Sequence, residues 1–385
     1  TPCFVCLLCI VWIEMPNDLL KEIFLRDSSG KTSPKQLVYL KEGLTTTVAV
    51  FNNDDRSEFE NKRLILNGIN MSADDMNARK YMTLLSYIPL LLVENPKNVL
   101  VICFGTGQTA GAAGAYPEIN LVDVVDISPG VFQAGKFFKA TNHNVVNNPK
   151  VKKIIQDGRQ HLLTTSTSYD VITAEPPPPM NAGSVNLYTR EYYELTKRAL
   201  KPGGIVSQWI PLHSQTETHI YQHFRTFLES FPYAMAWYPV RKELILIGSD
   251  RPIDINFSQI ERRFENPVIN KIMHDIDFPN PFSFLGSIWF LKKELKSLGS
   301  GQHVISDNNP SLEFYLNLPK LISIDDIEKI MINRASFEDV WGKITNSSFS
   351  LSKAEKDTFK KYWDSRRKTD HAEADYIRGT DLRRK

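Results

Sequence analysis

Five short apolar runs recur between residues 98 and 210: "NVLVICFG", "INLVDVVDI", "VKKIIQDG", "YDVITAE" and "GGIVSQWI". Runs that are apolar throughout, rather than alternating, suit central strands of a parallel sheet covered on both faces. Stretches of helical periodicity lie between them, clearest in "SPGVFQAGKFFKATN" and "TREYYELTKRALKPGG". Strand and helix alternating at this pitch predict a doubly wound, Rossmann-like α/β sheet. A further helix, "ETHIYQHFRTFLESF", precedes "AMAWYPV" and "ELILIGS", a hairpin that closes the domain near Ser249.

The flanks read differently. "LVYLKEGLTTTVAVF" and "KRLILNGIN" are rich in β-branched residues with turn signals between them, which predicts a small antiparallel β-element over 37–72. "ADDMNARKYMTLLSYIPLLL" carries helical spacing and is expected to stop at Pro89. It opens the main α/β domain, assigned to 73–250. From residue 251 to 385 a mostly helical extension is expected, ending in a strongly charged, solvated helix with a frayed end. Residues 14–36 form a polar connector. The uncharged start, "TPCFVCLLCIVWI" (1–13), is shorter than the about 20 residues a bilayer requires, and reads as the tail of a truncated transmembrane helix. That reading implies a membrane-anchored protein with its soluble domain in the cytoplasm.

Cys3, Cys6 and Cys9 fall inside this apolar run, where cysteine serves as a small hydrophobe, so no metal is expected. A net charge of +2 offers no electrostatic footprint for nucleic acid and directs attention to a small-molecule partner.

In an open α/β sheet, ligands sit outside the carboxyl ends of the strands. The first strand ends in "FGTGQTAGAAG", where Gly105, Gly107 and Gly111 let the backbone approach a ligand and start a helix beside it. Alone, this turn also fits dinucleotide enzymes, or a tight turn with no ligand. The second strand places Asp126 about twenty residues further on, suited to accept both hydroxyls of a ribose. The third places Asp157 and Gly158 at the next strand edge. There a carboxylate either accepts from an exocyclic amine such as adenine's or caps the following helix. The fourth ends on Glu175, followed by four prolines that stiffen the loop and keep the acid aimed. Tyr188, Glu191 and Tyr192 follow, an aromatic and acid set suited to an alkylamine or to a first helical turn. His213 and Gln215 lie on the same rim, and Asp74 and Asp75 read as capping residues.

Taken together, "NVLVICFGTG…VDVVDIS…IIQDGRQHL…YDVITAE…LYTREYYELTKRALKPGGIVSQW" resembles the spermidine synthase family of aminopropyltransferases, closest to bacterial membrane-fused spermidine synthase-like proteins. The resemblance covers roughly residues 37–320 and includes "SDNNPSLEFYL" near Asp307. It implies a class I methyltransferase-type sheet and transfer of an aminopropyl group from decarboxylated S-adenosylmethionine to putrescine or a related amine. No tightly bound cofactor is implied, and relatives are often homodimers. Carried over by position, Gly105 and Gly107 would line the nucleoside donor, Asp126 would bind ribose, Asp157 with Gly158 would bind adenine, and Glu175 would be the base. Tyr81, Tyr188 and Glu191 would face the amine.

The departures fall on the amine side. The family's catalytic segment usually carries two aspartates; here it reads "EPPPP", with Glu175 for the first and Pro178 for the second. Its tyrosine-glutamine pair is Tyr81 followed by Met82. Two other functions fit the same residues: an S-adenosylmethionine-dependent methyltransferase, and a non-catalytic nucleoside-binding module of a membrane protein. The glycine turn carries Thr106, Gln108 and Thr109 but no cation to neutralise an α-carboxylate, which favours the decarboxylated donor.

Overall fold

The computed structural model describes residues 36–53, 61–213, 215–313, 323–345 and 351–382. Cys3, Cys6, Cys9 and the apolar start therefore lie outside the described residues. Among those described, no helix is long and apolar enough to cross a membrane.

Strands β1 (Gln36–Lys41), β2 (Val48–Asn53), β3 (Asn61–Leu66) and β4 (Ile69–Ala73) form a four-stranded antiparallel sheet, the expected β-element. Helix α1 (Met76–Leu92) follows, its N-terminus capped by Asp75, whose carboxylate accepts from the backbone N–H groups of Asn77 and Ala78. Asp74 is buried and accepts instead from the Lys62 N–H at 2.6 Å, tying α1 to the small sheet.

The main domain alternates as expected: β5 (Asn98–Ile102), α2 (Gln108–Ala115), β6 (Leu121–Asp126), α3 (Pro129–Ala134), β7 (Val151–Ile155), α4 (Gly158–Thr164), β8 (Tyr169–Ala174), α5 (Arg190–Ala199), β9 (Leu200–Pro211), α6 (Glu217–Ser230), β10 (Tyr233–Val240) and β11 (Glu243–Ser249). Their sheet runs β10-β11-β9-β8-β5-β6-β7. β7, β6, β5, β8 and β9 are mutually parallel, whereas β11 is antiparallel to both β9 and β10. Strand order reverses at β5, which pairs with β6 on one side and β8 on the other. A crevice above those carboxyl ends is the expected ligand position. β8 is buried along its whole length.

Three expectations need correction. Helix α1 does not stop at Pro89 but runs through it to Leu92. The carbonyl groups of that last turn are met by side chains: Arg263 Nη1 donates to Leu90 and Leu91, and Gln259 Nε2 to Leu91 and Leu92. Those contacts and the burial of Leu90, Leu91 and Leu92 hold the turn beyond Pro89 in place and offset what the proline costs.

The second concerns the boundary at residue 250. Residues beyond it form β12 (Ile255–Asn256), α7 (Phe257–Phe264), α8 (Pro267–His274), α9 (Pro281–Leu285), β13 (Ile288–Phe290), α10 (Lys292–Leu298), α11 (Ile324–Met331), α12 (Phe337–Trp341), β14 (Ile344–Thr345) and α13 (Lys353–Leu382). β13 pairs with β10, so the extension supplies the eighth strand of the main sheet rather than standing apart.

The third is the charged tail. α13 is not solvated all round: Phe359 and Trp363, one turn apart, are buried against Phe282 and Phe337. Arg334 lies over the rings of both Trp289 and Trp363 and donates to the Gly286 carbonyl, pinning the helix. Phe359→Ala should therefore lower unfolding free energy by about 3–4 kcal/mol, seen as a fall in the urea midpoint. A solvated helix would lose less than about 0.5 kcal/mol.

Candidate active site

The crevice at the switch point is a cavity of about 880 Å³. Its floor is the rim of the main sheet, through Cys103, Gly105, Asp126, Asp157, Gly158, Glu175 and Trp209, and the small sheet supplies Leu64, Met71 and Ser72 to its roof. The two sheets are joined across α3, where Tyr39 and Lys41 of β1 both donate to Gln133 Oε1.

The turn after β5 is held in left-handed backbone at Cys103, Gly105 and Gly107. The two forward glycines do different jobs. A Cβ on Gly105 would meet nothing closer than Ser72 Oγ at 3.9 Å, so this position keeps the cavity open. A Cβ on Gly107 would stand 2.6 Å from Phe104 Cζ and 2.8 Å from Val145 Cγ1. Gly107 is thus required by packing at the start of α2 and does not line the cavity, contrary to the expectation that both glycines face a ligand.

Asp126 ends β6 and accepts through both oxygens, Oδ2 from the Phe104 N–H at 2.9 Å and Oδ1 from the Ser128 N–H at 2.8 Å. Burial raises its pKa, and those two N–H groups pull it back. Each carboxylate oxygen retains a lone pair for a ligand hydroxyl. Asp157 is exposed at the cavity edge, and its Oδ1 caps α4 by accepting from Arg159 N and Gln160 N, both at 3.0 Å. The helix-cap reading is therefore realised, and Oδ2 stays available to the cavity. Gly158 is buried because a Cβ there would meet Ile102 Cγ2 at 2.7 Å.

Glu175 emerges from β8 directly above the switch point. Burial drives its pKa up to about 7, while the hydroxyls of Tyr81 and Thr109 pull it part of the way back. Tyr81 donates to Glu175 Oε1 at 2.7 Å. Burial and the neighbouring acid push the Tyr81 phenol well above its ordinary value, so it remains a donor. An acid poised this way can take a proton from an amine near neutral pH. Pro176, Pro177 and Pro178 follow as cavity wall.

Tyr81 reaches the site by gripping Glu175 from behind, itself buried. Tyr188 does not face the cavity: it is fully buried, its hydroxyl donating to the carbonyls of Pro176 and Pro177 at 3.3 and 3.4 Å. It holds the proline loop. Glu191 also lies away, accepting from Arg190 and from the Asp307 N–H at 3.0 Å. Both assignments to the amine side are therefore corrected: Tyr188, two residues before α5, is turned to the proline loop, and Glu191, in the first turn of α5, to Arg190 and Asp307. His213 stands 3.8 Å from Glu243; Gln215 is buried and meets His223.

Four contributors were missed. Trp209 lines the cavity, stacks on Tyr81 with centroids 6.0 Å apart, and donates through Nε1 to Glu243 Oε2 at 2.7 Å. Glu243, the first residue of β11, gave no signal beyond one charge beside a hairpin turn. Arg159 and Asp307 form a two-pronged ion pair at 2.7 and 2.6 Å at the cavity edge beside Asp157 and Gly158. Their separation of 148 positions hides the pairing from local pattern.

A doubly wound sheet of this order, with a glycine turn, two aspartates and a glutamate on one rim, defines a class I methyltransferase-like domain. Residues 78–247 match the spermine/spermidine synthase domain model. It is 32% identical over 154 residues to a spermidine synthase of Dictyostelium discoideum, an alignment covering 39% of this chain and 54% of the relative. It is 27% identical over 245 residues to polyamine aminopropyltransferase 1 of Bacillus cereus, covering 61% and 86%. The chain thus spans about half the length of the first of these relatives. The crystal structure of spermidine synthase from Thermotoga maritima shares the fold, with a TM-score of 0.54 at 20% identity, covering 69% of this chain and 87% of that one.

The glycine geometry makes a direct prediction. Gly107→Ala combines left-handed strain with a clash and should cost about 2–5 kcal/mol, whereas Gly105→Ala carries strain alone and should cost about 1–2 kcal/mol. Urea denaturation of both variants checks the order, and equal losses would remove the packing role of Gly107.

Proposed function

We propose that this chain is an aminopropyltransferase that moves the aminopropyl group of decarboxylated S-adenosylmethionine to putrescine or a related amine. The products are a spermidine-type polyamine and methylthioadenosine. The observation that carries the reading is Glu175: a carboxyl group at the switch point, poised near neutral pH and aimed by Tyr81 into a cavity with nucleoside-suited groups beside it. A primary amine is mostly protonated at neutral pH, and Glu175 takes that proton as the nitrogen attacks. The nitrogen lone pair forms the new bond to the propyl carbon, the carbon–sulfur bond breaks, and its electron pair neutralises the sulfonium. The nucleoside would be held by Gly105, Asp126, Asp157 and Gly158.

The cation inventory supports the decarboxylated donor. Among the described residues lining the cavity, the one cation is Arg159, and its terminal nitrogens are engaged by Asp307. A donor with an α-carboxylate would find no matching charge, a loss of about 1.5–3 kcal/mol.

The test is product analysis by mass spectrometry with both donors and a panel of amines. Aminopropyl products from the decarboxylated donor are expected; methyl products alone would replace this reading with the methyltransferase one. Asp126→Ala should abolish methylthioadenosine binding in calorimetry, while Glu175→Gln should keep it and lose about 10²–10⁴ in kcat.

The pH dependence has a fixed sign. The base is the carboxylate form, so activity should rise with pH through about 7, the value to which burial lifts Glu175. Tyr81→Phe removes a donor that favours the carboxylate, so its limb should move to higher pH. A limb that stays in place in Glu175→Gln would assign it to another group.

A further inference from the structure

Where the chain departs most from two-aspartate chemistry, at Pro178, the structure brings in a second acid from another strand. β11 runs antiparallel to β9, with Glu243 opposite Pro211. Parallel strands bring their last residues to the ligand rim; an antiparallel neighbour brings its first. Glu243 therefore arrives at the same edge of the sheet as Glu175, and sits diagonally across the ladder from Trp209, on the same face.

The connection between these acids is a pair of rings. Tyr81 and Trp209 stack with planes 15° apart, and each donates its only polar hydrogen to one acid, Tyr81 to Glu175 and Trp209 to Glu243. The two carboxyl groups are thus fixed along one aromatic wall, of which Trp209 faces the cavity. Glu243 Oε1, the oxygen Trp209 does not use, looks toward His213 Nε2 at 3.8 Å, beyond hydrogen-bond range. Burial pushes the Glu243 carboxyl up to about 8; the Trp209 N–H pulls it back, Glu175 adds to the rise and Lys242 opposes it. Burial and Lys242 also lower the His213 pKa. Such a pair of acids beside an indole face suits a molecule carrying a cation at each end.

Building on the aminopropyltransferase reading, we propose that Glu243, oriented by Trp209, recognises the far ammonium of a diamine acceptor and so sets the preference for diamines over monoamines. The near nitrogen then lies at Glu175, and the methylene chain between them runs along the Trp209 ring. The second acid of the acceptor site is thereby relocated from the proline loop to the start of β11.

The experiment is calorimetry on the full chain saturated with methylthioadenosine, titrated with 1,4-diaminobutane and with n-butylamine. The wild type should bind the diamine roughly ten- to a hundredfold more tightly than the monoamine, the range of one charge-assisted contact. In Glu243→Gln that ratio should collapse to within about threefold, and Trp209→Phe, which keeps the ring but loses the N–H, should give an intermediate ratio. A wild type without diamine preference, or a Glu243→Gln ratio equal to the wild type's, overturns the proposal. So does a parallel loss of both ligands, which would make Glu243 a structural support. No donor is present, so failed turnover would sink the functional reading without altering this result. Active transfer with an unchanged ratio would do the reverse.

Discussion

The site depends on one costly placement: a carboxyl group at the end of a strand buried along its full length. β8 lies between β5 and β9 in the middle of the sheet, so its last side chain emerges into the crevice with protein on most sides. Burial disfavours the charged form, and only a donor supplied from elsewhere keeps the group near the point of ionisation. Two hydroxyls do this, Thr109 on α2 and Tyr81, on a helix outside the βα alternation. α1 is anchored at both ends, by Asp75 and the Asp74–Lys62 contact at its start and by Arg263 and Gln259 at its close. The chemistry therefore rests on packing well away from it.

The proline run acquires meaning in the same frame. Glu175 N–H donates to the Ile102 carbonyl at 3.3 Å, the last backbone hydrogen bond before four residues that have no N–H to give. A segment that cannot donate must be held through its carbonyl groups, and the Tyr188 hydroxyl does this at Pro176 and Pro177. At the far end, Gly183 N–H donates to Glu313. The wall is rigid because prolines have little freedom to lose and because its few acceptors are met from behind.

What could be read in the chain follows from how local each signal is. β5 to β9 were legible because apolar runs ending in glycine or acid are a property of consecutive residues, and their order fixed the rim that brings Gly105, Asp126, Asp157 and Glu175 together. Tyr188 and Glu191 were misplaced because a rim residue's direction depends on the tertiary packing around it: the turn before α5 buries the first against the proline loop, and the first turn of α5 points the second to Asp307. α1 continues past Pro89 because side chains 170 or so positions away hold its last turn, information absent from the local pattern. Glu243 was illegible for a related reason: its place at the rim comes from strand direction, and a charged residue after a turn looks like any other hairpin end.

The C-terminal extension belongs to this same logic rather than to a separate unit. β13 covers the open edge of β10, and Arg334 with Trp363 holds α13 against the residues that precede it. The loop at Asp307 then reaches back to Arg159, the residue after Gly158, with Thr189 also donating to Asp307 Oδ1 at 2.8 Å. An ion pair this accessible contributes little stability by itself. Its consequence is electrostatic: the guanidinium at the cavity edge is neutralised by Asp307, leaving the rim dominated by carboxyl groups. Under the aminopropyltransferase reading proposed above, such a rim suits a donor and an acceptor that are both cationic.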